Sequence, residues 1–252
     1  MLSRSQQPKQ SERNTMVVAH RGASAYAPEN TVASAKLGWI LGADAVEVDV
    51  RLSSDQHIVV IHDQNTERTS GKKWVVSDEP LSNLQTLDVG SWKDEKYRGE
   101  PIPTLFEVVS LIPEGKKLFV ELKGDDSLVP ILQREFNHDP KLDQLNFIAF
   151  DYETITAVKE SFPDNKAYWL SSEPFACTRS MLEKVKHDGL DGVDLHYSLI
   201  TPALMSTANE LKLEIHCWTV NNQEEAATLS ALGVYSITTD VPDQIMNRLI
   251  AG

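Results

Sequence analysis

Short hydrophobic runs alternate along the chain with longer segments in which apolar residues recur at helical spacing. The short runs predict strands at residues 17–20, 45–51, 118–122, 146–150, 167–170, 192–195, 213–219 and 235–238. The longer segments predict helices at residues 31–41, 104–112, 128–137, 152–161, 178–187, 202–211, 223–232 and 241–250. Such regular alternation in a chain of 252 residues predicts an α/β fold, a (β/α)8 TIM barrel. An open doubly wound sheet is the competing topology, and the number of units favours the barrel.

One stretch breaks the alternation after the second predicted strand. The turn-prone pair Asp55-Gln56 predicts a hairpin into residues 57–61, an alternating segment that ends in His62-Asp63. Residues 64–103 then show no clear periodicity, and we interpret them as a small insertion on the second βα loop. The insertion either overhangs a site at that face of the barrel or packs without contacting a substrate.

Residues 1–15 differ from the rest of the chain because they are polar and lack the apolar segment of a secretory signal. We predict a disordered leader here, followed by a single TIM-barrel domain over residues 16–252 that includes the insertion. The two cysteines, Cys177 and Cys217, fall in different units of the predicted fold. A disulfide framework is therefore not expected, which favours a reducing compartment and, by extension, the cytoplasm.

The charge balance limits the classes of molecule that the protein is expected to bind. The chain has 24 Lys and Arg residues against 37 Asp and Glu residues, a net charge of −13, which argues against nucleic acid as a partner. An anionic substrate would have to be attracted by a local group of cations rather than by the overall field. No run approaches the ~20 apolar residues of a membrane-spanning helix, so no stable membrane anchor is expected. The sequence leaves the oligomeric state open.

Candidate chemistry lies where the predicted strands end. His20 and Arg21 follow the first strand, and Glu47 and Asp49 occupy alternate positions of the second. Alternate strand residues project from the same side, about 7 Å apart, so the two carboxylates converge. Buried carboxylates are costly unless they are paired or bound to a metal. This pattern predicts a divalent cation site beside a phosphate site.

The third barrel strand adds to this site. Glu121 and Lys123 are again two residues apart, so Glu121 completes a set of three carboxylates with Glu47 and Asp49. Three oxygen ligands suit one divalent cation, Mg²⁺ or Ca²⁺, with substrate oxygens and water filling the remaining positions. Lys123 and Arg21 would neutralise the phosphate oxygens.

Further side chains at the strand ends are candidates for proton transfer, substrate contact or structural support. His20 and His62 are the candidate general acid and base of a phosphodiester reaction. Trp218 is a candidate wall against an apolar or glycerol moiety of the substrate. For Asp194 and His196 we favour a supporting or structural role over direct contact with substrate.

Taken together, these residues resemble the glycerophosphodiester phosphodiesterase family, which is built on the phospholipase-C-like barrel. The resemblance runs from about residue 17 to the C-terminus. Two positions depart from the family pattern: Ala149 precedes Phe150 where Ser is common, and Gln56 occupies a turn position where Gly is frequent. The matching motifs, in chain order, are His20-Arg21-Gly22, Pro28-Glu29-Asn30-Thr31, Glu47-Val48-Asp49-Val50, His62-Asp63, Pro103-Thr104-Leu105, Glu121-Leu122-Lys123, Trp218-Thr219-Val220-Asn221 and Thr239-Asp240.

The resemblance implies metal-dependent hydrolysis of glycerophosphodiesters, small-molecule substrates, to sn-glycerol 3-phosphate and an alcohol. At matching positions it implies that the histidines are catalytic, that the three carboxylates bind the metal, and that Arg21 and Lys123 bind phosphate. It also implies that Asn30 holds the geometry of the site rather than contacting the substrate, and that residues 64–103 are the family's characteristic insertion.

Two other functions stay open at this point. A lysophospholipase-D-like enzyme would cleave lysolipid headgroups and would need an apolar groove, with Trp74, Trp92 and Trp218 as candidates to line it. A non-catalytic barrel would serve as a binding or scaffold protein, since a fold alone does not fix a function.

Overall fold

Eight parallel strands close into a barrel in the computed structural model, which describes residues 14–251. The first strand pairs with both the second and the last, and these pairings close the barrel. A ninth, short strand, β3, pairs antiparallel with the outer end of β2. The predicted TIM barrel is therefore confirmed, with every predicted barrel strand placed to within two residues. The strands are β1 (Met16–Ala19), β2 (Ala45–Leu52), β3 (Ile58–Val60), β4 (Lys117–Leu122), β5 (Leu145–Ala149), β6 (Lys166–Ser171), β7 (Gly192–His196), β8 (Glu214–Trp218) and β9 (Ser236–Thr239).

Helices follow the barrel strands and begin at residues suited to capping. Thr31 and Thr104 each form a capping box, and the side chains of Asp151, Thr201 and Asn222 accept hydrogen bonds from backbone N–H groups of the first turn. These caps satisfy donors that have no partner within a helix. The helices are α1 (Val32–Ile40), α2 (Glu67–Ser70), α3 (Leu81–Leu84), α4 (Leu105–Ser110), α5 (Leu128–Phe136), α6 (Tyr152–Ser161), α7 (Arg179–His187), α8 (Pro202–Leu211), α9 (Gln223–Leu232) and α10 (Pro242–Ala251).

The hydrophobic core has two layers. The larger layer fills the space between the strands and the surrounding helices. A smaller cluster fills the inside of the barrel and is dominated by Phe119, Ile148, Tyr168 and Leu170. Because strand side chains alternate, each strand contributes to both layers. The smaller cluster fills the middle of the barrel, which leaves the two ends of the barrel for polar groups.

Polar side chains also occur at the amino end of the barrel. The Lys166 ammonium lies 2.9 Å from Glu214 and 3.0 Å from Asp191, and the Tyr168 hydroxyl donates to Glu214. The buried His216 ring contacts the Ser236 hydroxyl through Nδ1 at 2.7 Å. We call this group, Lys166, Tyr168, Asp191, Glu214, His216 and Ser236, the amino-end network.

The insertion is a small folded unit rather than a plain loop. It contains α2, α3 and two short 3₁₀ turns, and its hydrophobic residues form a cluster of their own with Val59 and Ile61. The hairpin that precedes it turns at Gln56, whose φ of 61° is the left-handed conformation that makes Gly frequent there. The Lys93 ammonium donates to the Ser24 carbonyl at 2.7 Å, so the insertion contacts the loop that follows β1.

The predicted leader overlaps the described chain only at its end. Residues 1–13 lie outside the described residues. Thr15 was assigned to the leader, and this assignment is wrong: its side chain is buried and its hydroxyl donates to the Val234 carbonyl at 3.0 Å. Within residues 14–251, no helix combines the length and apolar character needed to cross a membrane.

Candidate active site

The structure brings the predicted site residues together at the carboxyl end of the barrel. Seven of the eight line one cavity of about 570 Å³ that is open to solvent. The eighth, Asp49, is buried beneath the cavity, where it contacts Arg21, Asn30 and Lys123. The seven residues are His20, Arg21, Glu47, His62, Glu121, Lys123 and Trp218.

The three carboxylates form a compact acidic triad. One oxygen from each of Glu47, Asp49 and Glu121 lies within 4.8 Å of the others, and all three residues are buried. Within residues 14–251, Oε1 of Glu47 has no hydrogen-bond donor, and Oδ1 of Asp49 and Oε1 of Glu121 both contact the same ammonium, that of Lys123. Buried oxygens without donors are rare in folded proteins and point to a missing partner. Because carboxylate oxygens suit Mg²⁺ and Ca²⁺, this triad could hold such an ion.

Burial and mutual repulsion shift the acidity of the triad. Burial, together with the charges of Asp49 and Glu121, raises the pKa of Glu47 well above its ordinary value. Burial and the charge of Asp49 likewise raise the pKa of Glu121, to about 8. The pKa of Asp49 moves the other way, because Lys123 and Arg21 outweigh its burial. The protein alone therefore stabilises one ionised carboxylate of the triad, and a bound cation would stabilise the others.

A tight turn after β1 places Arg21 beside the triad. Its backbone N–H donates to Oε2 of Glu47 at 2.9 Å, and its Nε lies 3.3 Å from Oδ2 of Asp49. The turn needs Gly22, which has a φ of 81°, and a Cβ there would lie 2.4 Å from the Ser34 carbonyl carbon. In the His-Arg-Gly motif, the glycine is therefore required by the conformation of the turn, while the arginine supplies a charge beside the triad.

Asn30 and Lys123 hold Asp49 from two sides. The Asn30 side chain donates to Oδ2 of Asp49 at 2.7 Å and accepts from the Asp49 backbone N–H at 3.1 Å. The Lys123 ammonium lies 3.1 Å from Oδ1 of Asp49 and also pairs with Glu121. This geometry agrees with the supporting role implied for Asn30.

Each candidate catalytic histidine is oriented by a carboxylate. Nδ1 of His20 lies 2.7 Å from Oδ1 of Asp240, and Nδ1 of His62 lies 2.6 Å from Oδ1 of Asp63. Such contacts favour the tautomer with the proton on Nδ1, which leaves Nε2 free to take up or give a proton. Burial lowers the pKa of His62.

The sequence alone predicts no role for Asp63 or Asp240, although both lie in motifs that match the family, His62-Asp63 and Thr239-Asp240. Asp240 also accepts hydrogen bonds from Ser24 and Asn221, so its position is fixed by three partners. Asp63 is held by Arg68, which also donates to Glu29 at 2.7 and 2.8 Å. Since Glu29 in turn accepts from Arg21 at 2.9 Å, an ion-pair chain connects the loops that carry both histidines.

The far wall of the cavity is largely apolar. Trp218 and Phe150 meet edge to face with ring centroids 5.5 Å apart, and Ile148 and Leu170 lie beside them. Phe150 was not predicted as a site residue, although it directly follows the β5 strand. Trp92 instead lines a separate cleft next to His20, and Trp74 packs against the hydrophobic cluster of the insertion, so the three tryptophans do not form one groove.

Asp194 and His196 differ in their relation to the cavity. Asp194 lines it, is buried, and has an Oδ1 atom without a hydrogen-bond partner among the described residues. The ring of His196 packs against Trp218 at 5.5 Å between centroids, and its Nδ1 contacts the Ser198 hydroxyl at 2.8 Å. His196 therefore supports the aromatic wall, while Asp194 lies closer to the site than expected.

Comparison with known proteins agrees with the arrangement of the site. A sequence model of the glycerophosphoryl diester phosphodiesterase family matches residues 20–244, nearly the whole chain. The chain belongs to this family. It is an enzyme, a glycerophosphodiester phosphodiesterase.

Individual relatives of this phosphodiesterase cover it almost completely. It is 36% identical to the YhdW protein of Bacillus subtilis over 91% of its own length and 96% of that protein. It is 32% identical to a glycerophosphodiester phosphodiesterase of Caldanaerobacter subterraneus, over 94% and 99% of the two chains. Among solved structures, a phosphodiesterase of Oleispira antarctica in complex with the product sn-glycerol-3-phosphate superimposes with a TM-score of 0.83, at 31% identity and with 93% and 96% coverage.

Proposed function

We propose that this enzyme hydrolyses glycerophosphodiesters to sn-glycerol 3-phosphate and an alcohol with the help of one divalent cation. In this proposal Glu47, Asp49 and Glu121 bind the cation, Mg²⁺ or Ca²⁺. His20 and His62 act as the general acid and base. The cavity at the carboxyl end of the barrel is the substrate site.

The observation that carries the proposal is the acidic triad, three buried carboxylates whose oxygens converge and of which Glu47 keeps an oxygen with no donor among the described residues. The metal ligands that the triad offers are all carboxylate oxygens, which fit a hard divalent cation better than a softer metal. When bound, such a cation supplies Lewis-acid polarisation of the phosphoryl group and offsets the charge that develops during reaction. The positively charged side chains of Arg21 and Lys123, beside the triad, also favour binding of an anion in this region.

Arg21 and Lys123 are the proposed phosphate ligands. Both line the cavity and both contact Asp49, so they are held at the edge of the triad before any substrate arrives. The arginine can make a forked contact with two phosphoryl oxygens, and the lysine acts as a point charge. On the far side of the cavity, Trp218 and Phe150 offer an apolar face for the carbon atoms of glycerol.

The two histidines supply the proton transfers. One would take a proton from the nucleophile and the other would give a proton to the leaving oxygen, each through Nε2, while Asp240 and Asp63 hold Nδ1. The nucleophile is either water or the hydroxyl of the substrate's own glycerol, which would give a cyclic phosphate intermediate. Both routes use the same two histidines.

The experiment that tests this function measures release of glycerol 3-phosphate from glycerophosphoethanolamine. The purified enzyme is assayed as prepared, after treatment with EDTA, and after Mg²⁺ or Ca²⁺ is restored. We expect release to stop with EDTA and to return with at least one cation. Release that persists at full rate in EDTA would refute the metal dependence.

A further assay with a lysolipid distinguishes a glycerophosphodiesterase from a lysophospholipase-D-like enzyme. Long-chain lysophosphatidylcholine is assayed beside glycerophosphocholine, which has the same headgroup and no acyl chain. We expect the water-soluble diester to be the better substrate; the reverse preference would favour the lysophospholipase-D-like function. The cytoplasmic location stays a prediction, which localisation of the tagged protein in its host cell would test.

A further inference from the structure

A second cleft, with an empty volume of about 750 Å³, opens beside the active-site cavity. Lys123 lines both of them, so the two spaces meet at the proposed phosphate ligand. The insertion forms one wall of this cleft with Gln64, Val75 and Ser77, and Arg51 of β2 lies in it. We call it the Arg51 cleft.

Arg51 belongs to the same row of side chains as the metal site. It stands two positions after Asp49 and four after Glu47 on β2, so all three project from one side of the strand. Its Nε donates to the His62 backbone carbonyl at 2.8 Å, which fixes the guanidinium at the mouth of the barrel. The strand that binds the cation thus presents a positive charge just outside it.

The rest of the guanidinium makes no hydrogen bond or ion pair within residues 14–251, and the carboxylates of Asp49, Asp63 and Glu121 act on it only through their charge. Arg51 is half-buried, yet it forms no ion pair with any carboxylate of residues 14–251, and no hydrogen bond from Nη1 or Nη2 is present there. In a chain with a net charge of −13, carboxylates to pair with it are plentiful. A half-buried, oriented arginine that is left unpaired is suited to a ligand carboxylate or phosphate, which it can bind with two parallel hydrogen bonds.

We propose that the Arg51 cleft receives the alcohol part of the diester, and that Arg51 selects substrates whose alcohol carries a second anionic group, a carboxylate or a phosphate. The inference rests on the proposed function. With glycerol against Trp218 and the phosphoryl group at Lys123, the alcohol extends past Lys123 into the cleft that Arg51 lines. The insertion, through its wall of the cleft, then takes part in substrate selection.

One acidic side chain, Asp125, also lines the cleft. Asp125 accepts a hydrogen bond from the Ser127 backbone N–H at 3.0 Å and is exposed to solvent. Water and salt screen an exposed charge far more than a half-buried one. Arg51 and Lys123 therefore make the cleft favour an anion, and Gln64 and Ser77 add neutral hydrogen-bonding groups.

The test compares substrates that differ by one charged group. Glycerophosphoserine is glycerophosphoethanolamine with an added carboxylate, and a second pair is glycerophosphoglycerol with and without a terminal phosphate. We expect kcat/KM of the unmodified enzyme to favour the anionic member of each pair by about tenfold, the value of one charge-assisted hydrogen bond. In Arg51→Gln this preference should fall to near one, while Arg51→Lys should retain part of it.

The readout is a ratio, so a loss of catalysis common to both substrates cancels. The matched control is Arg98→Gln, which removes the same charge from an exposed arginine of the insertion and should leave the ratio unchanged. A ratio near one in the unmodified enzyme would overturn the inference without any variant. So would an Arg51→Gln enzyme that loses activity equally on both members of a pair, because Arg51 would then act only through His62.

The two proposals fail in distinguishable ways. If no glycerophosphodiester is cleaved with any cation, the proposed function itself is refuted. If all four substrates are cleaved at similar rates, the proposed function stands and only the role of Arg51 falls. A preference for phosphate alone or carboxylate alone would identify which anion the cleft accepts.

Discussion

The two ends of the barrel contain the same kinds of buried polar side chain, but among the described residues only the carboxyl end has buried carboxylate oxygens without a donor. In the amino-end network the carboxylates of Asp191 and Glu214 meet Lys166, and Glu214 also accepts from Tyr168. Only Nε2 of His216 lacks a hydrogen bond there, and it lies 3.8 Å from Glu214. At the carboxyl end, Oε1 of Glu47 and Oδ1 of Asp194 have no donor among the described residues, and Asp49 and Glu121 share the Lys123 ammonium.

The difference separates a structural network from a binding site. A buried polar group that is satisfied within the protein contributes to stability, whereas one left unsatisfied costs free energy until a ligand completes it. Buried charge alone would mark both ends of this barrel as candidate sites. The unsatisfied oxygens single out the carboxyl end, in keeping with the usual position of active sites in TIM barrels.

The sharpest test of this contrast is Glu47→Gln. The change removes one ligand charge without changing the size of the side chain, so we expect kcat/KM to fall by roughly 10³-fold. Because it also removes repulsion with Asp49 and Glu121, the metal-free variant should unfold at the same or higher denaturant concentration than the parent. Activity assays and urea unfolding in EDTA measure the two effects. A variant that keeps its activity would show that the triad is not the metal site.

The histidines at the carboxyl end should give the next largest effect. His20→Ala and His62→Ala should each lower kcat by at least ~10²-fold if they perform general acid–base catalysis. His196→Ala is a matched control, since that histidine supports the wall and lies outside the proton-transfer pair. Near-normal rates in both single variants would remove the histidines from the mechanism.

The pH dependence of stability should have opposite signs at the two ends. The pKa of Glu121 is raised to about 8 in the folded state, mainly by burial, so the folded state binds this proton more tightly than the unfolded state. In EDTA this carboxyl therefore stabilises the protein below its ordinary pKa of 4.5, and that stability is lost as the pH rises through about 8. Saturating Mg²⁺ or Ca²⁺ should reduce the loss.

At the amino end, contacts with His216, Tyr168 and Lys166 outweigh burial and lower the pKa of Glu214 to about 2. Its contribution is present above pH 4.5 and is lost as the pH falls toward 2. Urea unfolding across this range, with and without EDTA, measures both trends. A metal-free protein whose stability does not change between pH 5 and pH 8 would contradict the assignment for Glu121.

The smallest effect on activity is expected from Glu214→Gln. The change weakens a satisfied network, so the free energy of unfolding should fall by about 1–3 kcal/mol while kcat and KM stay unchanged. Denaturant unfolding and steady-state kinetics on the same preparation give both values. A large change in kcat would show that the amino-end network affects the chemistry and would end the contrast between the two ends.

Much of this arrangement could be predicted from the sequence because a TIM barrel gathers its strand ends in one place. Glu47, Asp49 and Glu121 follow from alternation along two neighbouring strands, and the barrel brings His20 and His62 to the same face. The eight helices that follow the barrel strands were predictable because each shows helical spacing and most begin at a capping residue. Local sequence patterns were therefore enough to predict those site residues that the barrel itself brings together at the ends of its strands.

Other features depend on contacts that no local pattern reports. The partner of His20 is 220 positions away, and it could be assigned only after β1 and β9 were seen to pair. The sequence pattern marks Arg51 only as a strand residue, and the structure is needed to show that its guanidinium forms no ion pair with the described residues. The helices inside the insertion escaped prediction because they are too short to show a period. The burial of Thr15 escaped it because a single buried hydroxyl leaves no trace in a polar stretch.

The pairing of the first strand with the last has a consequence for how the enzyme is made. The His20 ring emerges from the ribosome early, but Asp240 follows only after every other strand of the barrel has been synthesised. A nascent chain therefore carries a histidine that nothing orients, and it gains a competent one only when β9 docks beside β1. In the proposed mechanism, turnover therefore requires that the last seam of the barrel has closed, because the oriented His20 and that seam form together.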